Sequence, residues 1–280
     1  MEFCNIGGKL LEFDTPKIMG ILNLTPDSFF DGGVYHTKEK ACAHVDKLLA
    51  DGADLIDIGA YSSRPGAMEL SAQEELDRLI PVVDELVIRY PHVLLSIDTF
   101  RSEVAKEAIL HGAHLINDIS GGNLDDAMFA TVAELGVPYI LMHSRGNPQT
   151  MQAQTAYNHL IEDIIADFTT KIGQLRALGV KDIIIDPGFG FAKTLTQNYE
   201  LLNHMEALHI LGVPILGALS RKSMIYKLLD IEPLEALNGT SVLNTILLTK
   251  GVQLIRVHDV KEAVEVRTLV GQLRESNLYS

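Results

Sequence analysis

Four polar side chains that could bind a flat, nitrogen-rich ring each lie beside a short apolar run. They are Asp98, Asn117, Asp186 and Lys222. A carboxylate accepts hydrogen bonds from ring N–H groups and exocyclic amines, and an amide both donates and accepts. An ammonium group donates to a carbonyl or to a ring nitrogen. Together these residue types predict a pocket for a polar heterocycle.

A second group of residues indicates a site for an anion or for a metal–phosphate pair. Arg256 and His258 are two residues apart at the end of one apolar run, so on a strand their side chains share a face. Asn23 ends another run and completes this group. The segment SRKS, from Ser220 to Ser223, opens a helix whose first N–H groups favour an anion such as a carboxylate.

The apolar runs that position these residues are as long as strands and show no alternation. This pattern is typical of strands buried on both faces of a parallel sheet. The runs cover residues 17–23, 54–59, 93–98, 114–118, 138–143, 182–187, 213–220 and 253–259. Helix-like segments separate them, and one opens with a capping-box pattern, Ser71 followed by Glu74. The order predicts a (β/α)8 TIM barrel of the α/β class; an open doubly wound sheet is the alternative.

In such a barrel the loops after the carboxyl ends of the strands build one site, and nearly every run here ends in a polar side chain. Each of these residues also has an ordinary structural interpretation. Asp98 and Asp259 could cap helices, and Asp98 could instead pair with Arg101. Asn117 and Asp118 could form an Asx turn, while Asp57 and His143 could make structural hydrogen bonds. Arg221 and Lys222 could be the solvated start of a helix. Their joint occurrence at successive strand ends favours a ligand site.

Composition limits the classes of protein and partner. The 280 residues are 47% hydrophobic and carry a formal net charge of −14, which argues against a nucleic-acid partner. No run reaches the length of a membrane helix. Cys4 and Cys42 lack metal-type spacing, so we expect a reduced, cytoplasmic protein. The first residues lack a basic region followed by an apolar run, so no leader sequence is expected. Residues 1–280 are expected to form a single domain, with a hairpin over residues 1–16 that closes the barrel floor.

Seven motifs, distributed from residue 18 to residue 260, resemble the dihydropteroate synthase family of folate biosynthesis and occur in that family's order. They are NLTPDSFFDGG, SSRPGA, SIDTFR, INDISGG, DPGFGFAKT, LSRKSMI and IRVHDV. The resemblance implies condensation of 6-hydroxymethyl-7,8-dihydropterin diphosphate with p-aminobenzoate, releasing pyrophosphate and using Mg2+. It also implies a homodimer and a target for sulfonamides, which mimic p-aminobenzoate.

The resemblance further implies roles for individual residues. The pterin-reading positions are Asp98, Asn117, Asp186 and Lys222. The diphosphate positions are Asn23, Arg256 and His258, and Asn23 is also the metal-associated position. The positions beside p-aminobenzoate are Phe29, Ser63, Pro65, Phe191 and Ser223. The catalytic positions are Asp31, Arg64, Lys222 and Arg256.

These assignments suggest a dissociative reaction. Diphosphate leaves once its charge is neutralised, and the electron-rich pterin carries the resulting positive charge on its exocyclic carbon. Asp31 is the candidate carboxylate that stabilises this cation, with Arg64 as its ion-pair partner. The arylamine attacks directly, so no Ser or Cys nucleophile is needed. The loops that contain Asp31 and Arg64 are expected to exclude water.

One motif departs from the family pattern. The chain has Ala60-Tyr61-Ser-Ser63-Arg-Pro where the family usually has Glu-Ser-Thr-Arg-Pro, so we expect drug contacts here to differ in detail.

Three other functions are alternatives. A pterin-dependent methyltransferase would share the pterin-reading acids but would not need SRKS or the pair Arg256 and His258. A non-catalytic pterin-binding paralogue would be suggested by loss of catalytic residues that are present here. A sugar-phosphate barrel predicts a glycine-rich phosphate loop that is missing.

Overall fold

Eight parallel strands follow the apolar runs of the sequence and form a barrel. The structure is a computed structural model that describes residues 3–24, 33–61, 70–147 and 149–277. The strands in these ranges are β1 (Phe3–Ile6), β2 (Lys9–Glu12), β3 (Lys17–Asn23), β4 (Leu55–Gly59), β5 (Leu94–Asp98), β6 (Leu115–Asp118), β7 (Tyr139–Met142), β8 (Ile183–Asp186), β9 (Leu216–Gly217) and β10 (Leu254–Val257).

Helices alternate with the barrel strands and pack around them. They are α1 (Gly33–Ala50), α2 (Ala72–Arg89), α3 (Ser102–Leu110), α4 (Met128–Leu135), α5 (Leu160–Ala177), α6 (Leu195–Asn203), α7 (Ser223–Leu229), α8 (Leu237–Thr249) and α9 (Val260–Asn277), with short 3-10 turns at Met151–Ala153, Met205–Leu211 and Pro233–Glu235. The capping box predicted at Ser71 and Glu74 is present at the start of α2. Among the described helices, none has the length and apolarity required to cross a bilayer.

The parallel strands run in the order β8-β7-β6-β5-β4-β3-β10-β9. The two ends of this order meet at a parallel bridge between Ile185 and Ile215, and the Ile185 N–H donates to the Pro214 carbonyl at 2.9 Å. The sheet therefore closes into the predicted barrel, and the open doubly wound alternative is wrong.

Strand β9 is much shorter than the predicted run of residues 213–220, because its ladder is interrupted at both ends. Pro214 has no N–H to donate, and the Ile215 N–H binds the Gln253 side chain at 2.9 Å. After Gly217 the chain turns toward α7, and the Lys222 N–H donates to the Leu219 carbonyl. Two residues remain in regular pairing with β10.

The interior of the barrel begins with an apolar floor. Its members lie on the barrel strands, directly after β9, or in and next to β1 and β2: Cys4, Ile6, Phe13, Met19, Leu55, Leu94, Leu115, Ile140, Ile184, Leu216, Ala218 and Leu254. Cys4 and Ile6 come from β1, which pairs with β2 in an antiparallel hairpin. This hairpin covers the amino-terminal end of the barrel, and the polar strand ends lie at the opposite end.

Candidate functional site

Polar side chains begin two residues beyond the apolar floor. Because side chains of a strand alternate between faces, a step of two residues keeps the side chain inside the barrel. That step leads from floor residues to Asp57, Ser96, Asn117, Asp186 and Arg256. A further step of two reaches Asn23, Asp98, Ser220 and His258. The site predicted at the strand ends is therefore built in two layers above the floor.

Arg256 and Asp57 form the centre of the lower layer. The Arg256 Nε donates to Asp57 Oδ2 at 2.5 Å, and its Nη2 donates to Asp98 Oδ2 at 2.8 Å. Asp57 is fully buried and also accepts from Ser96 Oγ at 2.5 Å and from Asn117 Nδ2 at 3.0 Å. The structural hydrogen-bonding role expected for Asp57 is thus confirmed, and Asp57 is in addition the main ion partner of Arg256.

Burial and the charges of this network act on the pKa of Asp98. Burial raises the pKa of Asp98 to about 7, and the Asp57 carboxylate acts in the same direction while Arg256 opposes both. The interpretation in which Asp98 pairs with Arg101 is wrong, since Arg101 forms its ion pair with the buried Glu75. A ligand N–H group at the barrel mouth would therefore meet a carboxylate whose protonation is finely balanced.

Lys222 lies at the start of α7 and approaches the turn after β8. Its Nζ donates to the Phe189 carbonyl at 2.5 Å and lies 4.9 Å from the centre of the Phe191 ring. Burial lowers the pKa of Lys222 to about 8, although the Asp186 carboxylate favours the charged form. The interpretation of Lys222 as a solvated residue is wrong. Asp186 Oδ1 accepts from the Gly188 N–H at 2.8 Å, and burial raises the pKa of Asp186.

At the predicted anion corner, His258 lies beside Ser220 and Arg221 pairs with Asp259. His258 Nδ1 and Ser220 Oγ are 3.0 Å apart, and the His258 N–H donates to Ser220 Oγ at 3.2 Å. Arg221 makes a two-point contact with Asp259, at 2.9 Å from its Nε and 2.7 Å from its Nη2. Arg221 is therefore an ion-pair partner rather than a solvated helix start. Ser223 is the first residue of α7.

Other predicted residues fall into two groups. Asp118 forms the expected Asx-type turn, accepting from the Ser120 and Gly122 N–H groups at 2.7 and 2.8 Å, whereas Asn117 binds Asp57 instead. The second group lies outside the described residues, so its members stay predictions: Phe29, Asp31, Ser63, Arg64 and Pro65. Tyr61 contacts the Phe100 ring edge-on, with the two ring centres 5.0 Å apart.

Sequence reasoning missed Lys193, which is 4% exposed. Its Nζ donates to the carbonyls of Gly188 and Phe191 at 3.0 and 3.1 Å and lies 3.1 Å from His143 Nδ1. His143 is thus the hydrogen-bonded rim histidine that was expected. A lysine two residues after the PGFGF motif was the available signal, because so many carbonyls in a tight turn need donors.

The comparisons with known proteins agree with this geometry. Residues 19–258 match the family described as "Pterin binding enzyme". The dihydropteroate synthase of Escherichia coli K12 is 42% identical over 265 residues, which are 94% of this chain and 93% of that protein. The chain belongs to the dihydropteroate synthase family.

Solved structures of family members superpose closely on this chain. A Yersinia pestis dihydropteroate synthase in complex with a sulfonamide drug has a TM-score of 0.91 and 43% identity, covering 98% of this chain and 99% of that one. A Xanthomonas albilineans dihydropteroate synthase with 4-aminobenzoic acid has a TM-score of 0.89 and 38% identity, covering 97% and 98%. The TIM-barrel fold of the family is therefore the fold of this chain.

Gly188 provides a first test of the turn after β8. Its φ is +70°, and a Cβ atom there would lie 2.1 Å from the His143 carbonyl oxygen, so we expect Gly188→Ala to lower the free energy of unfolding by about 2–4 kcal/mol. Gly212→Ala is the matched control, since Gly212 has a φ of +61° but no atom within 4 Å of the added Cβ. Its cost should be about 1 kcal/mol, and urea denaturation would measure both. Equal costs for the two variants would contradict the steric argument.

Proposed function

We propose that this chain condenses 6-hydroxymethyl-7,8-dihydropterin diphosphate with p-aminobenzoate to form 7,8-dihydropteroate and pyrophosphate. The observation that carries the proposal is the two-layered polar interior of the barrel in a chain that belongs to this family. The relatives described above are named dihydropteroate synthases, which favours this reaction over pterin-dependent methyl transfer. Residues 1–280 would act as one domain.

In this proposal the pterin lies among Asp98, Asn117, Asp186 and Lys222. The two carboxylates accept from ring N–H and amino groups, Asn117 supplies an amide oxygen, and Lys222 donates to the ring. Asn117 is already held by Asp57 through its Nδ2, which fixes the orientation of its oxygen. A ligand that satisfies these buried groups gains affinity, since each is costly to leave unpaired.

Arg256 and His258 would assist departure of the diphosphate. A guanidinium has five N–H donors, so Arg256 keeps donors for phosphate oxygens while it binds Asp57 and Asp98. His258 is oriented by Ser220 through its Nδ1. Asp31 would stabilise the positive charge on the pterin, and Arg64 would pair with Asp31. Phe29, Ser63, Pro65, Phe191 and Ser223 would bind p-aminobenzoate and, by the same contacts, sulfonamides.

Mg2+ is the proposed cofactor, and Asn23 would hold it. Asn23 ends β3 at the barrel mouth and offers an amide oxygen, which is a ligand type that Mg2+ accepts. Among the described residues no group of three His, Cys, Asp or Glu side chains could hold a metal ion, so phosphate oxygens and water would complete the coordination. When bound, Mg2+ would neutralise charge on the diphosphate.

Replacing Asn23 with alanine should raise the Mg2+ concentration needed for half-maximal rate by about 10-fold, because a metal ligand is lost. The measurement is the initial rate of pyrophosphate release as Mg2+ is titrated after EDTA treatment. Asn123→Ala is the matched control, since Asn123 Nδ2 donates to the Ser144 carbonyl at the rim. An unchanged Mg2+ dependence in Asn23→Ala would remove Asn23 from the metal site.

The direct test of the function follows pyrophosphate and dihydropteroate together. The purified protein is given the pterin diphosphate and Mg2+, with and without p-aminobenzoate. Equal amounts of the two products, formed only when p-aminobenzoate is present, support the synthase. Tight pterin binding without turnover would contradict it and would point to a non-catalytic pterin-binding protein.

We also propose a homodimer in the cytoplasm. Large apolar side chains are exposed on and between α7, α8 and α9: Leu228, Leu229, Leu234, Val242, Leu269 and Leu273. A second copy would remove this surface from water. We expect sedimentation equilibrium to give twice the chain mass of 30.8 kDa, and a mass of one chain would exclude the dimer. Cys4 and Cys42 are both buried, and reduced cysteines at these positions would suit a reducing compartment.

A further inference from the structure

We propose that Lys193 is a positioning residue for the pterin pocket. It fixes the turn of residues 186–193 and adds to the positive charge that acts on Asp186. This inference rests on the proposed function, in which Asp186 and Lys222 bind the pterin. The contacts of Lys193, the backbone of the turn and the charges around it each support the inference.

The ammonium group of Lys193 is surrounded by three acceptors. They are the Gly188 carbonyl at 3.0 Å, the Phe191 carbonyl at 3.1 Å and His143 Nδ1 at 3.1 Å. An ammonium group has three donors, so one buried side chain can satisfy all three acceptors at once. Burial lowers the pKa of His143 to about 2, so its ring is neutral and can accept.

The backbone of the turn requires such an internal support. Gly188, Gly190 and Ala192 all have positive φ, at +70°, +82° and +48°. Ala192 is the unfavourable case, since a side chain rarely adopts this conformation unless its surroundings hold it. The Lys193 contacts with Gly188 and Phe191, together with a bond from the Tyr157 hydroxyl to the Ala192 carbonyl at 3.0 Å, provide that hold.

The turn of residues 186–193 positions Asp186 and Lys222, two residues of the proposed pterin pocket. Its Phe189 carbonyl accepts from Lys222, and its Phe191 ring lies 4.9 Å from the same ammonium group. The Gly188 N–H donates to Asp186. A turn that loses its central support would therefore disturb both Asp186 and Lys222, although Lys193 itself need not touch a ligand.

Charge gives Lys193 a second effect. Burial raises the pKa of Asp186, whereas Lys222, Lys193 and Arg256 all favour its ionised form. Burial lowers the pKa of Lys193 to about 7. The charged and titratable groups that act on Lys193 or on its partner His143 are Asp186, Lys222, Arg145, Asp167 and Lys171. Removing Lys193 should therefore raise the pKa of Asp186, and pterin binding should be lost at a higher pH as the medium is acidified.

The test is calorimetric titration with 6-hydroxymethyl-7,8-dihydropterin, which has no diphosphate, from pH 5 to pH 9. Lys193→Met should weaken pterin binding about 10-fold or more at pH 7. The pH below which affinity falls on acidification, the acid limb of the profile, should be higher by about one pH unit. Lys171→Met is the matched control, because Lys171 is also buried but pairs with Asp167 on its own helix. It should bind like the unmodified protein.

A second variant separates charge from geometry and remains informative if Lys193→Met does not fold. Lys193→Arg keeps the positive charge, but a planar guanidinium cannot direct three donors from one atom. It should weaken binding while the acid limb stays in place. Unmodified affinity in both Lys193 variants, or equal losses in Lys193→Met and Lys171→Met, would overturn the inference. Asp186→Asn tests the proposed function itself: if it binds pterin normally, the pocket assignment fails, whatever Lys193 does.

Discussion

Replacement of Arg256 with methionine is expected to reduce turnover by about 100- to 1,000-fold and to lower the free energy of unfolding by about 3–5 kcal/mol. The activity falls because a donor to the leaving diphosphate is lost. The stability falls because Asp57, which is fully buried, and Asp98 would lose their shared counter-charge. Pyrophosphate release and urea denaturation would measure the two effects separately.

Arg267→Met is a matched control for Arg256→Met. Arg267 is exposed to almost the same extent, and its Nη1 pairs with Asp54 Oδ2 at 2.7 Å, but this pair lies near the start of β3 at the opposite end. Arg267→Met should lower stability and leave turnover unchanged. Combining Arg256→Met with Asp57→Asn should recover much of the stability without recovering turnover. Substantial turnover in Arg256→Met would contradict a role for this residue in the reaction.

Replacement of Lys222 with methionine is the second large expected effect. It should lower kcat/KM for the pterin diphosphate about 10- to 100-fold, since a charged donor to the ring is removed. In the unmodified protein kcat/KM should decline as the pH rises through about 8, because Lys222 then loses its proton. In Lys222→Met this decline should disappear. Lys250→Met, which removes a surface pair with Glu206, should keep both the rate and the decline.

Lys222 should also make the free energy of unfolding depend on pH. The pKa of Lys222 falls from an ordinary value of 10.5 to about 8 on folding, so the unfolded chain binds this proton more tightly. The free energy of unfolding contributed by Lys222 should therefore rise with pH between about 8 and 10.5 and stay constant below this range. The difference between the unmodified protein and Lys222→Met isolates this contribution. An opposite slope would show that Lys222 is charged more easily in the folded protein.

The barrel and its polar mouth were predictable because strand-length apolar runs and the residues that end them are local signals. Asn23, Asp98, Asn117 and Asp186 could be assigned to one rim without knowing which strands are neighbours. Their partners could not be assigned, since partners depend on strand order and on the stagger of the barrel. The bond between Arg256 and Asp57 joins residues 199 positions apart.

Two residues show what the local signals leave out. Asp57 lies inside a strand, which predicts its structural hydrogen bonds but not its ion pair with Arg256, and a buried carboxylate needs such a cation. Lys193 follows a conspicuous aromatic and glycine motif, and its role depends on a backbone curvature that no pattern of side chains reveals. Strand β9 was predicted too long because Pro214 and Gln253 interrupt a pairing that apolarity alone favours.

The short pairing of β9 has a consequence for how the barrel would open. Between β8 and β9 the described pairing is one bridge at Ile185 and Ile215, so this seam has the least cooperative protection of the cylinder. Amide hydrogens along it should exchange with deuterium before those of β4 and β5. Asp186 directly follows Ile185 on the β8 side of the seam, and Lys222 follows β9 on the other side, so a molecule bound by both residues would hold the two sides together. A ligand in the pocket should then slow deuterium exchange of the amide hydrogens along this seam.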